Sequence, residues 1–368
     1  MKKIIYYVSE IANFVGYEDI VSAHIQYPLK TLINIVDEYG DQYDTYLVTN
    51  KLSEMKSRPS LWSKLNKTVK FEIKEVYTYN NKNPSSSDER HLLIISFFLH
   101  LYQLMRCIKK GQFDIVHFWG GRKVLFIAVL FKCLFIRKKI IYSLTVDDKI
   151  CFFSKHLARI LNMVVLSSSY QMKLFTNSRN IVYLPPFIKA LRRYDREKTR
   201  VTFWRDPTSK NGADIAVDLF NKLAKEFPDI IFTFAVRQNV ENLISNNIQP
   251  YSNIEYYEVP YPDSISIDLL LSESMAIFLP FRSLTTHPQL AILESAIYEV
   301  PVICSKIKSN IDLEFEVSNI KCCHSDDYEK LIVDVIKSRQ AYPGVARQIS
   351  KYFDEKKHAS HISSLYGN

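Results

Sequence analysis

The stretch "FWRDPTSKNGADIAVDLF", residues 203–220, closes an apolar run over 200–204 and opens an amphipathic pattern over 211–226. Apolar segments on either side of a Pro and a Gly read as strand, turn and helix. Between them stand Arg205 and Lys210, with Pro207 shaping the turn and Gly212 just inside the helix start. A loop from a strand end to a helix start presents free backbone N–H groups and the positive end of the helix dipole, both of which favour an anion. Arg205 adds a fork of donors and Lys210 a mobile point charge. Taken alone, the stretch fits a plain basic turn as well as a phosphate site.

The same alternation of strand and helix continues outward in both directions. Downstream the expected strands are 229–236, 254–259, 276–281 and 300–305, with helices at 239–246, 265–273 and 289–298 between them. Upstream they are 4–9, 44–49, 69–73, 114–119, 139–144, 163–168 and 181–185, with a first helix that stops at Gly40. Residues 78–90, "TYNNKNPSSSDER", read as loop, and the charged segment 186–200 carries no strand pattern and reads as a linker. Alternation on this scale predicts an α/β protein with two Rossmann-like domains, parallel sheets and a cleft between them. The expected divisions are 1–188, 189–350 and a C-terminal helix over 351–368. That helix could pack on either half and is assigned to the first.

Length and composition agree with two globular cores. The chain has 368 residues, 47% hydrophobic and 24% charged, so disorder is excluded. Its six cysteines form no CxxC pair and no metal-ligand rhythm with histidine, which suits a reducing cytoplasm; Cys322-Cys323 is the one odd pair. The N-terminus reads as a first strand rather than a signal peptide. Two apolar stretches, 92–105 and 124–136, are shorter than the roughly 18–20 residues a bilayer span needs and read as buried helices. Charge is uneven: residues 1–190 carry a net +12 and residues 191–368 a net −3. A basic first half without a nucleic-acid module suits an anionic membrane surface, a phosphate-bearing ligand or simply a solvated face.

Further on, "FLPFRSLTTHPQLAILESAIYEVPVICS" (278–305) puts Glu294 in a helix whose buried face is Leu290, Leu293 and Ile297. A carboxylate near such a helix start can accept hydrogen bonds from both hydroxyls of a ribose; it can equally face solvent. No GxGxxG and no GxxxxGK[ST] occurs, so neither a dinucleotide fingerprint nor a P-loop is present.

Together, residues 200–305 resemble the C-terminal domain of GT-B retaining glycosyltransferases, family 4 in particular. Arg205 and Lys210 keep that family's Arg-four residues-Lys spacing, with Asn211 inserted before Gly212, and "LAILESAIYEVPVICS" resembles its Leu-Glu-Ala block. In the first half, "FDIVHFWGG" and "MVVLSSSYQMKLF…IVYLPPFI" resemble its blocks more loosely.

The resemblance implies transfer of a hexose from a nucleotide-diphosphate sugar to a glycan acceptor, lipid-linked or polysaccharide, with retention of configuration. The implied location is the cytoplasm or the inner membrane face, with no metal and no cofactor. Arg205, Lys210 and His117 are the implied catalytic residues, and Gly16, Arg205, Lys210, Thr286, His287, Leu290 and Glu294 the donor-binding set. Trp119 stands near the acceptor, at a position that is often His in the family. Thr286 replaces the first carboxylate of the Glu-seven residues-Glu motif, and Glu299 its usual Gly after the helix. Asp147-Asp148 is the nearest carboxylate pair and reads as a loop pair rather than a metal site. A catalytically silent subunit of the same fold, or a sugar-nucleotide epimerase, is the alternative.

Overall fold

The structure is a computed structural model and describes residues 1–8, 23–49, 73–75, 98, 101–106, 113–144, 156–175, 179–188, 193–236, 244–258, 261–262, 264–282 and 290–367. Its contacts divide the chain into two units, Met1–Pro186 with Glu355–Asn368, and Phe187–Asp354. The expected loop at 78–90, the pair Asp147-Asp148, and Gly16, Thr286 and His287 lie outside the described residues.

In the first unit the elements run β1 (Lys2–Val8), α1 (Ala23–Tyr39), β2 (Tyr43–Thr49), β3 (Ile73–Glu75), β4 (Ile115–Gly120), α2 (Arg122–Leu134), β5 (Lys139–Leu144), β6 (Met163–Leu166), α3 (Ser169–Leu174) and β7 (Ile181–Tyr183). The strands pair in parallel in the order β3-β2-β1-β4-β5-β6-β7. Parallel strands are covered on both faces, which is why they read as continuous apolar runs. Within β4 the period of two sends Val116 and Phe118 into one core cluster with Phe131 of α2, and His117 and Trp119 to the other face.

The second unit runs β8 (Arg200–Phe203), α4 (Ala213–Glu226), β9 (Ile231–Val236), β10 (Ile254–Glu258), α5 (Ile267–Ser272), β11 (Ser274–Leu279), α6 (Leu290–Ala296), β12 (Val302–Ser305), α7 (Lys308–Glu316), β13 (Ile320–Cys323), α8 (Tyr328–Ser338) and α9 (Val345–Tyr352). Its sheet is again parallel, in the order β10-β9-β8-β11-β12-β13. Alternation along β11 puts Ala276 and Phe278 in one core and Ile277 and Leu279 in the other. Phe220 of α4 packs its ring against Phe232, Phe234 and Phe278, anchoring that helix over the first of these cores.

The tail departs from expectation. The last helix is expected over 351–368, but the chain forms α9 and then α10 (Glu355–Gly367), which belongs to the first unit. The break falls where Phe353 turns into the core of the second unit and its carbonyl accepts from Ile188 N at 3.2 Å. Residues 351 and 352 thus end α9 rather than begin the last helix. Of the expected helix at 239–246, residues 244–247 form a turn and the rest is outside the described residues. Helix α7 and strand β13 had no clear sequence signal: "KSNIDLEFE" lacks a coherent apolar stripe, and "IKCC" is only four residues long.

Glu299 shows why its position favours glycine. Its φ of 61° lies in the left-handed region that side chains rarely adopt. The carboxylate offsets this strain by accepting from Arg193 Nη2 at 2.7 Å, Gly344 N at 2.8 Å and Ala346 N at 3.3 Å, capping α9. Burial raises its pKa, but these donors outweigh it and hold the carboxyl below its usual value. A depressed carboxylate contributes stability above the unfolded-state pKa of about 4.3 and loses it as pH falls through the folded value. Glu299→Ala keeps the strained φ and loses the bonds, so it should cost about 1–3 kcal/mol near neutral pH. Glu299→Gly removes the strain and should cost less. Chemical denaturation at pH 7 and pH 4 checks both, since the difference between wild type and Glu299→Ala should shrink in acid.

Candidate functional site

Strand order decides where a site can form in the second unit. The direction in which successive strands are added to the sheet reverses between β8 and β11, with β9 and β10 on one side and β12 and β13 on the other. In open parallel sheets the loops at the carboxyl ends of such a strand pair part and leave a ligand-binding crevice. Arg205 and Lys210 lie on the loop after β8, and Arg282 follows β11.

The loop is rigidly built. Thr208 caps a single 3₁₀ turn, Ser209–Asn211, and its Oγ1 accepts from Asn211 N at 3.3 Å. Asn211, the residue inserted relative to the family spacing, is buried and donates from Nδ2 to Asp206 O at 3.1 Å. Gly212 then takes φ +76° and passes so close to β11 that an added Cβ would lie 2.0 Å from Pro280 O. Arg282 fastens the two loops together: its N–H donates to Lys210 O at 3.0 Å and its guanidinium pairs with Asp214 at 2.5 Å in the first turn of α4.

Among the described residues, Arg282 is therefore committed to structure, whereas neither Arg205 nor Lys210 has a side-chain hydrogen bond or ion pair. Arg205 is half-buried and Lys210 exposed. Two unengaged cations at the crevice end of a parallel sheet can take an anion.

Glu294 is brought beside this loop by a residue pair that sequence reading missed. Trp204, adjacent to Arg205, donates from Nε1 to Ser295 Oγ at 2.7 Å, and Ser295 is adjacent to Glu294 on α6. An indole at a strand end has to place its N–H on an acceptor; the acceptor's identity was not readable from the chain. Leu293 and Ile297 are buried as expected, while Leu290 is half-buried against the same core. Glu294 is half-buried and acts electrostatically on Tyr298, whose hydroxyl donates to Asp268 Oδ1 at 3.0 Å. Burial first, then the charges of Asp268 and Glu294, push the Tyr298 phenol far above its ordinary pKa.

His117 and Trp119 fall in the other unit and have a different setting. His117 is fully buried in mid-strand, with Nδ1 2.7 Å from Tyr366 Oη and Nε2 2.7 Å from Ser143 Oγ. Its ring stacks on Trp119 at 4.6 Å, and Trp119 is itself 1% exposed. In this geometry both ring nitrogens of His117 face protein hydroxyls, and through Tyr366 the ring joins the sheet to α10. The resemblance implies a catalytic role for His117 and an acceptor role for Trp119; the structure places both side chains in the packing of a doubly covered sheet.

The same helix is held by Tyr43 Oη on Ser363 O, by Lys2 Nζ on Tyr366 O and Gly367 O, and by Lys139 Nζ on Leu365 O, at 2.6–3.0 Å. Burial drives the His117 pKa well below 6.5 and brings that of His358, on α10, to about 3. In acid the unfolded chain protonates both histidines while the folded one does not. Their stabilisation is present above about pH 6.5 and is lost as pH falls below it, by up to about 1.4 kcal/mol per pH unit for each. Unfolding midpoints recorded between pH 7.5 and pH 5 should fall steeply, and less steeply in His358→Gln.

Among the described residues no group of three or more His, Cys, Asp and Glu side chains is placed to hold a metal ion. No described helix is long and apolar enough to cross a membrane.

No protein-family model matches the chain, and no curated protein matches it in sequence. Solved structures match it over its whole length. Sucrose-phosphate synthase from Thermosynechococcus elongatus has a TM-score of 0.70 at 11% identity, covering 100% of this chain and 98% of its own. HepE of Anabaena, solved in complex with UDP, has 0.65 at 12%, covering 100% of both chains. The lipopolysaccharide outer core galactosyltransferase WaaB has 0.66 at 12%, covering 99% of both. The fold is therefore α/β of the GT-B type, the architecture shared by these glycosyltransferases. At such identities the likeness concerns the fold.

Proposed function

We propose that this protein is a retaining hexosyltransferase, moving a hexose from a nucleotide-diphosphate sugar to a glycan acceptor that is lipid-linked or a polysaccharide. One observation carries the reading: Arg205 and Lys210, two cations unengaged among the described residues, stand at the strand-order reversal on a loop tied by Trp204 to the helix of Glu294. GT-B neighbours, among them one solved with UDP, support it.

In the proposed reaction the bond between the anomeric carbon and the diphosphate oxygen breaks, and the electron pair leaves with the diphosphate. Arg205 and Lys210 stabilise the charge that grows there, the largest electrostatic need of the step. Glu294 accepts from the ribose hydroxyls. The acceptor hydroxyl attacks from the face the diphosphate leaves and passes its proton to the departing diphosphate oxygen, so no protein nucleophile is required. Two protein cations at the diphosphate also fit a reaction that needs no metal.

Calorimetric titration with UDP, GDP and ADP, followed by a thermal-shift panel of nucleotide sugars, tests this reading. One nucleoside diphosphate should bind, and at a hundred times its dissociation constant should add about 2.7 kcal/mol of stability. Binding of none would identify a silent member of the fold, and an epimerised donor formed without acceptor would identify an epimerase.

A further inference from the structure

Helix α2 breaks a rule that surface helices ordinarily obey. Its inner side, with Val124, Leu125, Ile127, Ala128 and Phe131, is buried in the core of the first unit. The opposite side of such a helix is normally polar. Here Leu130, Cys133 and Leu134, spaced to share one face, are exposed instead, Leu130 at 39% and Leu134 at 54%. The turn that follows adds Ile136, 73% exposed, and the exposed Arg137. Phe98 and Tyr102, each 62% exposed, lie on a helical segment whose Leu101, Leu104 and Met105 pack into the same core as α2.

Lys132 is the one charged side chain in the last nine residues of the helix, and it does not polarise this face. Its ammonium reaches past the helix end to donate to Ile136 O at 2.7 Å and Lys138 O at 3.1 Å. That arrangement satisfies carbonyls of the turn after the helix while leaving the outer surface aliphatic.

Charge says what covers the face. Residues 98–139 contain nine Lys and Arg against a single acid, Asp114, so this segment alone carries a net +8 of the chain's +9. Asp114 is itself engaged, with Oδ2 accepting from Lys3 N at 2.9 Å. A second copy of the chain would bring like charge against like. Exposed aliphatic side chains on a segment of this net charge suit a surface that offers acyl chains beneath anionic headgroups.

We propose that the face of α2 formed by Leu130, Cys133 and Leu134, with Ile136 and Arg137 of the next turn, docks the protein onto the surface of an anionic lipid bilayer. The aliphatic residues enter the headgroup boundary, and Arg137 beside them holds a lipid phosphate. The protein lies on the bilayer without crossing it.

The test is co-sedimentation of the full-length chain with vesicles of phosphatidylcholine alone and of phosphatidylcholine with about 30% phosphatidylglycerol. Wild type should pellet with the anionic vesicles about tenfold more tightly than with the neutral ones, and more weakly when salt rises from about 0.1 to about 0.5 M. The double variant Leu134→Asp with Ile136→Asp should lose about tenfold or more of the anionic binding at constant salt. Because both positions are exposed, its circular dichroism and unfolding midpoint should match wild type. The proposal is overturned if wild type stays in the supernatant with anionic vesicles, or if the double variant pellets like wild type. It is equally overturned if gel filtration shows that the variant dissolves a self-associated form while vesicle binding is absent, since the occupant would then be a second copy. Vesicle binding is read without a nucleotide sugar, so its failure leaves the transfer reading untouched.

Discussion

Replacing Arg205 with alanine is expected to lower kcat/KM for sugar transfer by about 10²–10³-fold, the range found when one preorganised donor to developing charge is removed. The loss should fall mainly on kcat, because the diphosphate carries more charge on the leaving oxygen in the transition state than in the bound donor. Lys210→Ala should act in the same direction. Its ammonium is exposed whereas Arg205 is half-buried, so its effect should be the smaller. Arg205→Lys should recover little, since a point charge does not reproduce a planar fork on two phosphate oxygens. Neither substitution should move the unfolding midpoint, because among the described residues neither side chain bonds to the protein. Unchanged UDP affinity together with an unchanged rate in Arg205→Ala would sink the assignment.

A second large effect is expected at Gly212, and there it is structural. Alanine at φ +76° costs about 1–2 kcal/mol on backbone grounds alone. Its methyl would also sit 2.0 Å from Pro280 O, a backbone atom fixed by the β11 strand end. Pushing those backbones apart should bring the total to about 3–5 kcal/mol and lower the unfolding midpoint of the second unit by roughly 10 °C. Displacement of the loop should weaken nucleotide binding as well, since Lys210 lies two residues upstream. Gly344 is the control: it too has positive φ, +91°, but an added Cβ meets nothing within 4 Å. Gly344→Ala should therefore pay the backbone cost alone, and equal midpoints for the two variants would refute the close-approach argument.

Much of the architecture was legible because parallel strands advertise themselves as apolar runs. β5 was located to the residue and β1, β2, β4 and β8 to within two. Arg205 and Lys210 drew notice as two cations on a loop between a strand and a helix, a pattern that fits a basic turn as well as an anion site until the family spacing is added. What escaped were relations between distant segments. Nothing local to Trp204 names Ser295 as its acceptor, and nothing in "DIVHFWGG" shows that Tyr366, 249 residues away, takes one nitrogen of His117. Family spacing implied a substrate contact for His117, and nothing local to it shows that α10 covers that sheet face. The charge count found the basic half but not its aliphatic face, because exposure of Leu134 and Ile136 depends on what fails to pack on them.

Helix α10 also fixes an order of events during synthesis. The second unit is one uninterrupted segment, Phe187–Asp354, whereas the first is finished only by Glu355–Asn368. At about 5–20 residues per second a ribosome needs roughly ten to thirty seconds to pass from one boundary to the other. Throughout that interval the nascent first sheet has Tyr43, His117 and Lys139 without the partners that Ser363, Tyr366 and Leu365 later supply. The portion made first is thus completed last, and its unfinished face is available to chaperones while the later portion is already able to fold.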